Sequence, residues 1–188
     1  MKTTIGHIGI IQTGIFAKPL SQGEIVYLQA RHFDENGNLS SILHPDLKTE
    51  NLNERHLLKQ GDVLFAAKGS KNFAAVYESK NQPAVASTSF FVIRLQENFS
   101  NKILPEFLVW LINHPISQKF LKGKAIGTSI VSISKSVLSA LEISIPDLQT
   151  QKAILKINQL HNTEKNLKQQ IEILREKQIQ QQIINAIK

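Results

Sequence analysis

The composition of the chain changes abruptly at Pro146, and this change constrains the fold more than any other feature of the sequence. All nine glycines, all six prolines and all twelve aromatic residues lie at or before Pro146. Residues 147–188 therefore contain no glycine or proline that would interrupt a helix. Asp147 suits the N-cap position, because its carboxylate can accept hydrogen bonds from the first helical amides. The pattern predicts one C-terminal helix of about forty residues, ~60 Å long.

The predicted helix carries an apolar stripe with heptad spacing. If Ile157 is an a position, the stripe continues over further a and d positions. We expect these residues to form a dimerisation surface, because an isolated helix cannot bury its own stripe. They are Ile157, Leu160, Leu167, Ile171 and Leu174.

Polar residues interrupt this stripe. Glu164 and Gln178 occupy later a positions, and Gln181 occupies a later d position. Near the end of the chain the apolar residues move to a new face, with isoleucines at 179, 183 and 187. The shift indicates that the contact face rotates or changes partner there.

Residues 1–146 have the pattern of a mixed α and β domain. Turn signals at 34–37 and 60–61 separate several runs rich in β-forming residues. These runs are 8–11, 24–30, 62–66, 73–77, 89–95 and 142–145. Pro105 and Pro115 predict the starts of two short helices, running to 113 and 120. The expected fold class is α+β, with a mixed α/β globular domain (1–146) followed by a long helix (147–188).

The charge and composition of the chain limit the kinds of partner and the cellular compartment that it is expected to have. The net charge is +7 and the pI is about 9.6, which favours an acidic partner such as nucleic acid. The tail contributes seven basic against four acidic residues, so both parts of the chain are basic. The chain has no cysteine, which suits a reducing compartment and excludes sulfur-ligated zinc. With no long apolar run and no signal-peptide core, we expect a cytoplasmic protein without a membrane segment.

The sequence offers little that would support catalysis. The six histidines lack metal-ligand spacing, and no complete phosphate-binding loop is present. One pattern is typical of magnesium-dependent nucleases: Asp62 at the start of a strand, followed by Glu78 and Lys80. Because 78–83 has the composition of an exposed turn, we expect no catalytic or metal-binding residue and no cofactor in this chain.

Three polar segments favour binding to double-stranded DNA. The first segment (29–32) offers side chains that can hydrogen-bond to base edges. The second segment (68–72) is a basic loop of small residues, and the third segment (119–129) combines lysines with hydroxyl groups that suit phosphates. The predicted DNA-binding residues are Gln29, Arg31, Lys68, Ser70, Lys71, Lys122, Lys124, Thr128 and Ser129.

Several motifs resemble the specificity subunits of type I restriction-modification systems. The opening stretch 8–14 is similar to the start of a target recognition domain, and Gly61-Asp62-Val63-Leu64-Phe65 with its following loop is similar to a strand of that domain. The stretch 127–138 and the passage Ile145-Pro146-Asp147-Leu148-Gln149-Thr150-Gln151 resemble the family's junction between recognition domain and spacer helix.

The resemblance implies a fold and a set of partners. The fold is a mixed α/β target recognition domain whose spacer helix packs antiparallel in a coiled coil. The function is DNA recognition for modification subunits, which bring S-adenosylmethionine and methylate adenine, and sometimes for a restriction subunit. Family members usually carry two recognition domains and two helices, whereas this chain carries one of each.

Because this chain carries one recognition domain and one helix, three interpretations of its function are open. A homodimer joined through the helix would read a bipartite palindromic site. A spare or truncated cassette would pair with a full-length specificity subunit. A metal-dependent nuclease using Asp62, Glu78 and Lys80 is the third interpretation, and the resemblance does not favour it.

Overall fold

The structure is a computed structural model that describes residues 1–34, 37–39, 43–49, 52–69, 72–81, 83–127 and 132–187. The chain divides into two compact units, Met1–Leu148 and Gln149–Lys188. The first unit mixes strands and helices, and the second is helical. The predicted fold class, α+β with a long C-terminal helix, is confirmed.

Short strands and helices alternate along the globular unit, residues 1–148. The strands are β1 (Lys2–Thr4), β2 (Gly9–Thr13), β3 (Val26–Leu28), β4 (Val63–Ala66), β5 (Ala74–Val76), β6 (Ala84–Ala86), β7 (Phe90–Leu95) and β8 (Glu142–Ser144). The helices are α1 (Ile5–Ile8), α2 (Glu97–Ser100), α3 (Pro105–Asn113), α4 (Pro115–Gly123) and α5 (Lys135–Ser139). Within the described ranges, 3₁₀ turns lie at Ala30–His32, Glu54–His56 and Ser79–Asn81.

The strands of the described residues form three sheets. The largest is antiparallel and has the order β2-β7-β4-β5. β3 pairs in parallel with β6, and β1 pairs antiparallel with β8. In the large sheet Thr13 faces Phe91 and Ala66 faces Phe90. The last residues of β2 and β4 and the first residues of β7 therefore lie at the same end of the sheet.

The central strand β4 buries both of its faces. Val63 and Phe65 belong to one apolar cluster, which also takes in helices α1, α3, α4 and α5. Leu64 and Ala66 belong to a second cluster on the opposite face, shared with β3 and β6. This assignment follows from the alternation of side chains along a strand. The sheet is therefore covered on both sides within the globular unit.

Most predicted elements are present, with shifted boundaries. α3 has the predicted bounds, and α4 continues beyond 120 to Gly123. The strand predicted at 8–11 begins one residue later, because Ile5 and Ile8 are both buried and complete the short helix α1. The prediction missed β1, β6, α1, α2 and α5, which are too short to show a periodicity.

The C-terminal helix α6 spans Leu148–Ala186, 39 residues, a length of ~58 Å. The predicted stripe residues are all exposed, by between 47% and 67% of their surface. Ion pairs between Lys168 and Glu164 and between Arg175 and Glu172 lie along the same helix. None of the helices described is long and apolar enough to cross a membrane.

Candidate nucleic-acid interface

A turn of three hydroxyl residues, Ser87–Ser89, connects β6 to β7 and is called the hydroxyl turn below. Its Ser87 amide donates to the carbonyl of Leu28 at 2.8 Å, and the Ala67 amide donates to the carbonyl of Ser89 at 2.9 Å. Leu28 ends β3, and Ala67 directly follows β4. The hydroxyl turn therefore lies between the first and second predicted DNA-binding segments.

The first segment is held by a reciprocal cap around the turn Ala30–His32. The amide of Gln29 donates to Nδ1 of His32 at 3.2 Å, and the His32 amide donates in turn to the Gln29 side chain. A bidentate contact of Gln29 with adenine would require its side-chain oxygen to leave this cap. Arg31 is exposed, and its Nε donates to Nε2 of His32 at 3.3 Å on the surface.

The state of His32 matters for this cap, because Nδ1 can accept a hydrogen bond only when it is not protonated. Burial lowers the pKa of His32 below its usual value, and the charge of nearby Arg31 lowers it further, while Asp46 opposes both. The neutral ring is therefore favoured, and one of its nitrogens can accept, either Nδ1 from the Gln29 amide or Nε2 from Nε of Arg31 at 3.3 Å.

The second segment is a hairpin loop between β4 and β5. The Ala66 amide donates to the Phe73 carbonyl at 2.8 Å, and Nδ2 of Asn72 donates back to the Ala66 carbonyl at 2.9 Å. Gly69 has φ +110°, and a Cβ there would meet nothing within 4 Å. The open space at Gly69 would let a phosphate approach its backbone closely, next to the exposed Lys68.

The third segment begins in the second half of helix α4 and continues beyond its end at Gly123. Lys122 and Lys124 are exposed, and Nζ of Lys124 lies 4.5 Å from the centroid of the Phe120 ring. Ile126 and Ser132 then exchange two backbone hydrogen bonds of 3.0 and 2.9 Å, which close the loop between them. The loop is therefore held at its base.

Backbone and aromatic contacts join the three segments. Ser132 forms an antiparallel bridge with Lys68, which places the third segment beside the second. Phe33, directly after the first segment, lies 5.6 Å from Phe73, directly after the second, measured between ring centroids. Gln29, Arg31, Lys68, Lys122 and Lys124 are therefore on segments that meet at one end of the sheet. Four predicted residues, Ser70, Lys71, Thr128 and Ser129, lie outside the described residues.

The sequence reasoning missed the hydroxyl turn. Its signal was the run Ser87-Thr88-Ser89 between two β-rich stretches, but β6 was not recognised as a strand, so the run was not read as a turn. Ser87 is buried, and its Oγ has no hydrogen-bond partner among the described residues. An unpartnered buried hydroxyl costs free energy, so this position is a candidate functional residue.

The residues of the nuclease interpretation do not assemble into a metal site. Asp62 is 2% exposed and accepts from Nε and Nη2 of Arg94, at 2.8 and 2.6 Å. The hydrogen bond to Asp62 raises the pKa of Arg94. Glu78 instead pairs with Lys80 at 2.7 Å on the surface. Among the described residues, no group of three or more His, Cys, Asp and Glu side chains could hold a metal ion.

Comparison with known proteins places this geometry in context. The family described as the type I restriction modification DNA specificity domain matches residues 10–173. The type I restriction enzyme MjaX specificity subunit of Methanocaldococcus jannaschii is 30% identical over 136 residues, covering 69% of this chain and 31% of the relative.

Two solved structures share the fold. The specificity subunit of the type I system of M. genitalium superposes with a TM-score of 0.58 at 19% identity, over 94% of this chain and 42% of that one. The HsdS subunit of Thermoanaerobacter tengcongensis gives 0.64 at 22% identity, over 90% and 44%. The chain therefore spans less than half the length of the relatives it matches.

Proposed function

The chain belongs to the family of type I restriction modification DNA specificity domains, and from this premise we propose that it is the DNA-recognition subunit of such a system. Residues 1–146 read double-stranded DNA, and residues 147–188 join two copies. Modification subunits bound to the pair supply S-adenosylmethionine and methylate adenine, and a restriction subunit joins in some assemblies. This chain binds no cofactor and directs the reaction by choosing the DNA.

The observation that carries this proposal is the convergence of the three segments at one end of the sheet. Lys68, Lys122 and Lys124 suit phosphate contacts, which fix register on the duplex, whereas Arg31 and Gln29 suit base edges. Ser70, Lys71, Thr128 and Ser129 belong to the same loops by sequence. The division of roles predicts that lysines set affinity and that the first segment sets sequence choice.

The homodimer is supported by the exposed stripe of α6. Fully burying a leucine or isoleucine side chain contributes about 1.5–3 kcal/mol, and the stripe residues, about half exposed, leave much of this contribution unrealised in one chain. A second copy of the helix presents the same stripe, so a twofold axis makes the surface self-complementary.

An antiparallel pairing fits the stripe best in one register. In it Ile157 faces Leu174 of the second copy and Leu160 faces Ile171, so four apolar positions find apolar partners. Glu164 faces Leu167, and its carboxylate keeps the Lys168 ammonium of its own chain at 2.7 Å. A shift by one heptad would instead set Ile157 against Gln181 or Leu174 against Thr150.

This register fixes the geometry of the paired helices. The twofold axis passes between residues 165 and 166, so the two copies of Leu148 lie ~50 Å apart along the helix axis. Two identical reading domains so held would select an interrupted palindrome, because each half-site is read in the opposite orientation.

Two measurements test the proposed function. Light scattering of the purified chain should give about 42 kDa, twice the mass of one chain. Selection from a random duplex library should return an interrupted inverted repeat. A mass of 21.1 kDa, with a dimer formed only after a full-length specificity subunit is added, would instead support the spare-cassette interpretation. Magnesium-dependent cleavage by the chain alone would support the nuclease.

A further inference from the structure

The segment after β2 carries one aromatic side chain that is exposed to solvent. Phe16 is 80% exposed, and within the described part of the chain every other Phe, Tyr and Trp is buried or half-buried. Its neighbours Ile15 and Ala17 both pack inward, against the cluster formed by Ile25, Tyr27, Leu47 and Val85. Phe16 therefore points outward between two residues that point inward.

A buried tyrosine fixes this arrangement. Tyr27, 3% exposed, donates its hydroxyl hydrogen to the Ile15 carbonyl at 2.9 Å, and its oxygen accepts from the Ala17 amide at 3.3 Å. The hydroxyl thus binds the peptide groups on both sides of Phe16. Burying a phenylalanine side chain normally stabilises a fold, yet here the bonds of a buried hydroxyl keep the Phe16 ring exposed to solvent.

The backbone just before Phe16 pairs with the start of the hydroxyl turn. The Ile15 amide donates to the Ala86 carbonyl at 2.8 Å, and Ile15 bridges to Ser87. Ser87 in turn binds Leu28, the residue before Gln29. Phe16 therefore belongs to the same end of the globular unit as the predicted DNA-binding segments.

We propose that Phe16 contacts the 5-methyl group of a thymine in the major groove, an inference that rests on the proposed function. A phenyl ring has no hydrogen-bond donor or acceptor, so it can discriminate bases only through apolar contact. Thymine carries the only methyl group that unmodified DNA presents in the major groove. A lone ring among cationic and hydroxyl groups fits one such contact, whereas single-strand binding uses several stacking aromatics.

The test compares two random duplex libraries, one containing thymine and one containing uracil, which lacks the methyl group. The full chain should select a thymine at one position of each half-site from the first library and lose that preference in the second. Replacing that thymine by uracil should weaken binding of the unsubstituted chain about fourfold, the effect of one methyl group. The Phe16→Ala variant should bind both duplexes equally and keep its other base preferences.

Two further variants separate the possible causes. Ile116→Ala removes another exposed apolar residue, at the start of α4 and 75% exposed, and should leave thymine discrimination intact. Tyr27→Phe keeps the ring but removes both hydrogen bonds around Phe16, so it should reduce thymine discrimination while leaving the salt dependence of binding unchanged. Thermal melting checks that each variant is folded.

The outcomes are distinct. Equal loss of affinity for all sequences in Phe16→Ala would overturn the proposal, as would unchanged discrimination. Unchanged DNA selection together with weaker binding to modification subunits would assign Phe16 to a protein interface instead, and would also overturn it. If the unsubstituted chain selects no sequence from either library, the proposed function fails, and the selection itself reports this separately.

Discussion

The globular unit buries most of its apolar residues, whereas the C-terminal helix leaves most of its apolar residues exposed. Strand β4 buries both faces inside its own unit, and residues such as Phe65 and Leu64 are fully buried. Helix α6 leaves its isoleucines and leucines exposed along most of its length. The globular unit therefore carries its own apolar core, whereas under the proposed function the apolar stripe of the helix is covered by a second copy. Recognition and assembly are therefore separable by substitution.

Removing the apolar stripe of α6 should abolish the dimer and leave the globular unit folded. The double variant Leu160→Ala and Leu174→Ala should convert the dimer to a monomer in light scattering. Truncating each buried leucine to alanine costs about 2–4 kcal/mol, so the dissociation constant should rise by roughly a thousandfold or more. The melting temperature of the globular unit should not change. Ile173→Ala, exposed on the helix but off the stripe, should remain dimeric, and a dimer that survives the double variant would contradict the assignment.

The second prediction concerns the globular unit alone. Arg94→Ala leaves the Asp62 carboxylate buried without its partner, so the free energy of unfolding in urea should fall by about 3 kcal/mol. The matched surface pair, tested by Lys80→Ala, should cost less than about 1 kcal/mol. Dimer mass below the unfolding transition should be unaffected. Similar costs for the two variants would show that Asp62 and Arg94 are not a structural pair.

The third prediction concerns the residues that are proposed to choose the base sequence. Arg31→Ala should relax the choice at one base pair, and binding to the cognate site should weaken by about 1–3 kcal/mol. Gln29→Ala should relax choice by less, because the cap with His32 already engages its oxygen. Both changes should appear in the sequences that each variant selects from a random duplex library. Light scattering should still give the mass of the dimer.

The fourth prediction concerns affinity without sequence choice. Lys68→Ala or Lys122→Ala should weaken binding to all sequences alike, and should lower the slope of log K against log salt by about 0.9 for each phosphate that is no longer neutralised. Titrations between low and moderate salt would measure this. If these lysines and Arg31 change the selected sequence in the same way, the division of roles is wrong.

The smallest effect is a pH dependence inside the globular unit. Burial, together with the nearby Asp62, raises the pKa of Tyr77 to about 12, and its hydroxyl donates to the Asn81 carbonyl. An unfolded tyrosine ionises near pH 10, so the unfolded state releases the proton first and stability should fall as the pH rises from 10 to 12. Urea unfolding of Tyr77→Phe should show a shallower fall in that window, and identical slopes would contradict the assignment.

Local signals in the sequence account for much of the fold. Pro105 and Pro115 predicted α3 and α4, because proline suits the first turn of a helix. The absence of glycine and proline after Pro146 predicted α6. Three-residue strands such as β1 and β6 are too short to show an alternation of apolar and polar residues. Their pairing also depends on partners that are distant in the sequence.

The candidate interface was predictable only in pieces. The basic loop at Lys68 and the lysines around the end of α4 were visible in the sequence, but their adjacency depends on the bridge between Lys68 and Ser132. The first segment joins them through the bond between Ser87 and Leu28 and through the contact between Phe33 and Phe73, neither of which the sequence shows. Phe16 carried no sequence signal, because only the fold shows that Tyr27 holds it outside.

The antiparallel pairing of two α6 helices is tested most directly by disulfide cross-linking, because the chain contains no cysteine of its own. Leu160→Cys and Ile171→Cys are prepared separately, mixed and oxidised, with a mixture of Ile157→Cys and Leu160→Cys as the control. The proposed register predicts a covalent dimer between the two different variants in the first mixture and none in the control, where the sulfurs lie ~20 Å apart. Cross-linking of Leu160→Cys to itself would indicate parallel helices and would contradict the twofold dimer.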